Sequence, residues 1–168
     1  MTYDENGAAR PKLARDRDAS GRARNARPRD GLGRPLPRGA STSIERIPED
    51  LVLPPEESLR EAQRLLDAGR PFHAHEILEG TWKAAPPRER DLWQGLAQLA
   101  VGLTHIARGN PRGAVTLLRR AHARLSLYAT EPPYGVDVAG LLQYTDTLAR
   151  SVPPTPPPSP RLVSEPGD

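Results

Sequence analysis

From residue 55 onward the apolar residues recur every three or four positions, in five separate runs. Leu59, Ala62, Leu65 and Leu66 make the first stripe, from about Pro55 to Ala68, and Gly69 stops it. Pro71 suits the first turn of a second helix reaching about Ala85, because a helix start leaves the N–H that proline lacks unused. Pro86 and Pro87 end that run and open a third, which carries Leu92, Leu96, Leu99, Leu103 and Ile106 and stops at Gly109. Asn110 offers a capping oxygen ahead of Pro111, and a fourth stripe follows through Ala114, Leu117, Leu118, Ala121, Leu125 and Tyr128. EPPYG breaks it. Asp137 can cap a fifth helix that turns Val138, Leu141, Leu142, Thr145 and Leu148 inward. No run alternates with the period of two that a half-buried strand shows. The pattern predicts an all-α fold.

Two of the turns repeat. GRPFHAHEIL from Gly69 and GNPRGAVTLL from Gly109 align Gly69 with Gly109, Pro71 with Pro111, Ala74 with Ala114 and Leu78 with Leu118. One helix hairpin is therefore used twice. The second copy is similar to a tetratricopeptide repeat, with Gly102, Gly109, Ala114, Leu118 and Ala121 at that repeat's small and apolar positions. The expected domain is a compact bundle of about five helices over residues 51–150, two such hairpins and a closing helix. Two copies are too few for an extended array.

The ends differ from this centre. Residues 1–50 are rich in Arg, Gly and Pro and carry no hydrophobic period, so a disordered arm is expected, with LGRPLPRG the stretch able to lie on the domain. Residues 151–168, SVPPTPPPSPRLVSEPGD, read as an extended proline-rich tail without a core of its own, loose at the terminus. Residues 1–40 hold ten Lys or Arg against five Asp or Glu, a net +5, which leaves −2 on the remainder of a chain whose total is +3. The basic pI of 9.7 thus belongs to the arm. Contact with a polyanion through residues 10–38 follows as a candidate, although Tyr3 alone offers no platform for stacking bases.

Absence of cysteine removes disulfides, thiolate nucleophiles and thiolate metal sites. Neither a phosphate-binding glycine loop nor a nucleophile elbow is present. No apolar run nears the roughly 18 residues of a membrane span, and the first residues lack the apolar stretch of a secretory signal. The expectation is a soluble cytoplasmic protein.

One stretch carries chemistry. FHAHEILEGTW, residues 72–82, puts His73, His75, Glu76 and Glu79 into an otherwise apolar helix. His75 and Glu79 stand four apart and share a face, with Trp82 a turn further along; His73 projects elsewhere and is expected in solvent. In the duplicated hairpin His75 corresponds to Val115, which turns it toward the interior. HEILE lacks the second His of a zinc-protease helix.

His75-x-x-x-Glu79-x-x-Trp82 resembles the HxxxExx(W/Y) motif of the family called domain of unknown function 309, small all-helical bacterial and archaeal proteins. The likeness extends over GRPFHAHEILEGTW, WQGLAQLAVGLTHIARGN and GAVTLLRRAHARL, roughly residues 56–130. The resemblance implies no established activity. It implies metal binding at His75 and Glu79.

A nitrogen- and oxygen-ligated transition metal needs three or four protein or water ligands. His105, on a stripe of the third helix with Gln94, Gln98, Val101 and Gly102, is the candidate third, and Glu76 a weaker fourth about 100° around the helix from His75. Two His and one carboxylate around one divalent ion would suit activation of water for hydrolysis. The alternative reading needs no metal. Glu79 would be held by His75, Trp93 or Gln98, His105 would donate to a carbonyl, and the network would fix the register of two helix pairs. Trp82 and Trp93 would then be core residues. Three readings stay open: a metal-binding and hydrolytic protein, a metal-free helical interaction module, and a polyanion binder. A second copy of the chain, met through an apolar stripe on the last helix, is a further candidate partner.

Overall fold

The computed structural model describes residues 28–37, 39–40 and 47–165. Five α-helices make the domain: α1 (Pro55–Asp67), α2 (Pro71–Ala84), α3 (Arg90–Ala107), α4 (Pro111–Leu125) and α5 (Val138–Arg150). No strand occurs among the described residues, only two isolated bridges. α3 lies at the centre, against α2 on one side and α4 on the other; α1 packs on α2, and α5 on α4. One core runs through all five helices, with Leu78, Trp93, Leu118 and Leu141 among its fully buried members.

The helices stop and start for the reasons their sequences supply. Gly69 and Gly109 both turn left-handed, at φ +69° and +70°, a conformation glycine enters without a Cβ clash. Each turn is then closed in the same way. Arg70 N–H donates to Leu65 C=O and Asn110 N–H to His105 C=O, both at 2.8 Å. The duplication read from the sequence is a duplication of backbone geometry. Asn110 Oδ1 accepts from Gly113 N–H at 3.1 Å and Asp137 Oδ1 from Gly140 N–H at 3.0 Å, so both expected caps form. α3 begins three residues later than Pro87, after a single tight turn over Pro87–Glu89.

Two expectations about the ends need correcting. Residues 151–165 are free of helix, as expected, but their far part is not loose. Leu162 is 1% exposed and belongs to the core. Gln63 Nε2 on α1 donates to Pro160 C=O at 3.0 Å while its Oε1 accepts from Leu162 N–H at 2.8 Å. Tyr144 Oη donates to Pro158 C=O at 2.9 Å, and Val163 bridges Val136. The reason is local: a proline run is pre-extended, so one leucine and a few backbone pairs hold it. Burial also raises the Tyr144 phenol to about 12. The tail thus takes up part of the α5 surface assigned to a second copy.

Part of the arm is ordered on the domain as well. Residues 28–36 make a turn in which Asp30 Oδ1 accepts from the N–H groups of Leu32 and Arg34, at 2.9 and 2.8 Å, and Leu36 N–H donates to Pro28 C=O. Arg108, at the end of α3, holds this turn by donating twice to Leu32 C=O, at 3.0 and 2.7 Å. Residues 10–27 and Arg38, most of the expected polyanion contact, lie outside the described residues.

Candidate functional site

α2 carries the cluster. His75 Nε2 stands 3.5 Å from Glu79 Oε2, and Lys83 Nζ stands 3.0 Å from Glu79 Oε1. The three side chains form a ladder with helical spacing of four, on a face that is partly open: the His75 side chain is 23% exposed. Phe72 flanks it, its ring centroid 5.8 Å from that of His75. Burial lowers the His75 pKa below 6.5; Glu79 pulls the other way and Lys83 with the burial. The imidazole is therefore neutral at pH 7. Its Nδ1 is buried and has no hydrogen-bond partner among the described residues.

His73 is not in solvent. It is 3% exposed, its ring edge-on to Phe72 at 5.9 Å, and burial lowers its pKa, with the Arg70 charge adding to the effect. The physical reason is the helix period: His73 stands four residues before Ile77 and seven before Gly80, on the buried stripe of α2. Gly33 seats against the Phe72 ring so closely that a Cβ there would fall 2.2 Å from Cγ, and the Arg29 and Arg108 guanidiniums lie 5.1 and 5.8 Å from the ring centroid. The neighbouring Phe72 face is the one that the arm covers, through Gly33 and Arg29.

The remaining candidates disperse. His105 ends α3 and faces the next turn, where its Nδ1 is 3.1 Å from Asn110 Nδ2. It serves the α3–α4 corner rather than His75. Glu76 is half-buried and keeps an interaction of its own. Trp82 is half-buried against the core, and Gln94 and Gln98 are half-buried on α3, with Gln98 Oε1 lacking a partner among the described residues. Trp93 is wholly buried and donates to Glu89 Oε2 at 3.4 Å, not to Glu79.

The donor set can be tested against the metal that the motif implies. Among the described residues no three His, Cys, Asp or Glu side chains converge to hold an ion. His75 and Glu79 give two donors, and an ammonium group already stands on one Glu79 oxygen. A transition-metal centre held by protein ligands needs more. These residues do not fit one.

The family model described as Domain of unknown function (DUF309) matches residues 59–117, from α1 into α4. Over that span the chain is similar to the DUF309 family. The uncharacterized protein YpuF of Bacillus subtilis (strain 168) is similar to it, with 50% identity over 48 residues. That match covers 28% of this chain and 28% of YpuF, so the chain spans little more than a quarter of that relative. No solved structure matches the chain. Among the described residues no helix is long and apolar enough to cross a membrane.

One polar cluster escaped the sequence. Glu89, at the entry to α3 inside the DUF309 span, is 7% exposed. Tyr134 Oη, beyond that span, lies 2.9 and 3.0 Å from the two Glu89 oxygens. A signal existed in each half: an acid four residues before Trp93, and an aromatic residue inside EPPYG. Nothing in the spacing joins them across 45 residues.

Proposed function

We propose that this protein is a metal-independent helical interaction module that grips extended, proline-rich segments. The observation that carries this reading is the Gln63 fork. A single side-chain amide both donates to and accepts from the backbone of Pro160–Leu162, while the Leu162 side chain enters the core. Amide pairing of this kind reads backbone rather than side chains, and the leucine pocket adds selectivity for Pro-x-Leu. Asp67, which accepts from Ser159 Oγ, and Tyr144, which donates to Pro158, lengthen the grip by two residues. The chain's own tail is the resident occupant, and a partner segment of the same chemistry displaces it. Within this reading the His75–Glu79–Lys83 ladder is a structural network on α2.

The test uses the full-length chain. Leu162→Asp ejects the resident tail and leaves Gln63 in place. A fluorescent peptide of residues 155–165 should bind the Leu162→Asp chain and bind wild type far more weakly, because the tethered tail competes at an effective concentration of about a millimolar. Adding Gln63→Ala should abolish that binding. A Leu162→Asp chain that stays helical by circular dichroism yet ignores the peptide would refute the proposal.

A further inference from the structure

Glu89 opens onto a cleft of about 500 Å³ between the start of α3, the end of α2 and the segment leading into α1. Val52, Leu53, Pro54 and Pro86 wall it, and Trp93 and Tyr134 complete it. That volume suits a small ligand or one long side chain.

The carboxylate at its base is under-compensated. One phenolic hydroxyl serves both oxygens, and the Trp93 N–H reaches Oε2 only at 3.4 Å. A carboxylate has about four acceptor positions. The cationic neighbour is Arg88, whose Nε is 3.7 Å from Oε1, but its side chain is 85% exposed and so contributes little neutralisation. A buried negative charge in this state is costly. The backbone is also held in an uncommon conformation for it. Tyr134 sits at φ 56°, ψ 23°, the left-handed region that disfavours side chains larger than Asn, followed by Gly135 at φ +67°. Residues in such conformations gather at ligand sites. Here the strained residue is the one whose hydroxyl meets Glu89.

We propose that this cleft binds an ammonium or guanidinium group carried on an apolar stem, with the Glu89 carboxylate as counter-ion. Tyr134 positions that carboxylate, its ring offers a π face to the cation, and the proline and aliphatic walls cover the stem. An anion is excluded by Glu89. Among the described residues no three His, Cys, Asp or Glu side chains gather here to hold a metal.

Full-length protein labelled with ¹⁵N is titrated with 1,5-diaminopentane, with capped lysine (N-acetyl-lysine methylamide) and with neutral 1,5-pentanediol, following the Trp93 indole N–H. Saturable shifts are expected with the diamine and none with the diol. Binding of the diamine alone assigns the site to a free amine, whereas equal or tighter binding of capped lysine assigns it to a side chain from a peptide. Glu89→Gln should weaken binding by about tenfold or more, the loss of one charge-assisted contact. Should Glu89→Gln unfold the chain, Val52→Arg answers the same question: position 52 is exposed at the cleft rim, and a tethered guanidinium there should compete with the diamine. Equal shifts from diamine and diol, or diamine binding untouched by both substitutions, overturn the proposal.

Discussion

Gln63 and Leu162 are 99 residues apart in the chain and 2.8 Å apart in space, joined by the Leu162 N–H and the Gln63 side-chain oxygen. The pair makes the proline-rich tail a structural part of the helical domain. Leu162→Ala leaves a cavity against α1 and should lower unfolding stability in urea by about 2–5 kcal/mol. Gln63→Ala strands the Leu162 N–H and the Pro160 C=O and should cost about 1–3 kcal/mol. Losses below about 0.5 kcal/mol for both would mean that the tail detaches freely.

The histidines of α2 predict a pH dependence. Burial lowers both His73 and His75 below 6.5, and burial with the Arg108 charge lowers His105. The folded state therefore binds fewer protons than the unfolded chain, so stability is complete above pH 6.5 and falls as pH drops through that value toward the lowered ones. The carboxylates held low by partners, Asp30, Glu61 and Asp67, titrate further down, from ordinary values of 3.8 and 4.5. The interval from about pH 6.5 to 5 isolates the imidazoles. Melting temperature should decline across it in wild type and decline less in His73→Phe. A flat profile over that interval would contradict the burial of His73.

The helices were readable because each buries one stripe, and a stripe leaves a period in the sequence. The hairpin corners were readable because left-handed glycine and proline at the first turn are local needs, met by Gly69–Pro71 and again by Gly109–Pro111. The His75–Glu79 contact was readable too, since four residues on a helix fix the distance. Contacts made by irregular chain were mostly not readable, although LGRPLPRG, expected as the stretch able to lie on the domain, does so through Leu32 and Gly33. His73 looked solvent-facing although its spacing to Ile77 and Gly80 puts it on the buried stripe of α2. His105 looked like a third ligand because its stripe was right, but its place in the last turn of α3 commits it to Asn110. Glu89 with Tyr134 and Gln63 with Leu162 depend on loops whose paths leave no repeat.

The corner at His105 has its own consequence. Asn110 caps α4 through Oδ1 while its amide meets His105 Nδ1. Asn110→Ala should destabilise the full chain by about 1 kcal/mol. Asn110→Asp keeps the capping oxygen, improves the match to the N-terminal end of the helix dipole, and should be neutral or stabilising at pH 7. If Asn110→Asp proves as harmful as Asn110→Ala, the amide contact to His105 outweighs the cap.

Metal independence is checkable directly. A chelator added to protein purified without one should leave the melting temperature unchanged, and elemental analysis should find less than one transition metal per chain. His75→Gln should then change stability by no more than about 1 kcal/mol, the value of a partly exposed pair and a ring contact. A drop of several degrees on chelation, restored by added zinc, would reinstate a metal centre with ligands outside the described residues.

The arm supplies the last prediction. Phe72 receives Gly33 on its face and lies within 6 Å of two guanidiniums, at 5.1 and 5.8 Å, each such contact worth about 0.5–1 kcal/mol. Removing the ring should loosen residues 28–36 without unfolding the helices, because the arm meets the domain at Phe72 and at Arg108, which donates to Leu32 C=O. In Phe72→Ala the amides of Gly33 and Leu36, both hydrogen-bonded in the turn, should exchange about fivefold to thirtyfold faster with deuterium, matching the lost contacts, while core amides such as Leu96 keep their protection. Gly33→Val should act in the same direction, since a side chain at φ +74° is strained and its Cβ would overlap the ring. Unaltered exchange at Gly33 and Leu36 in both variants would mean that Phe72 does not hold the arm.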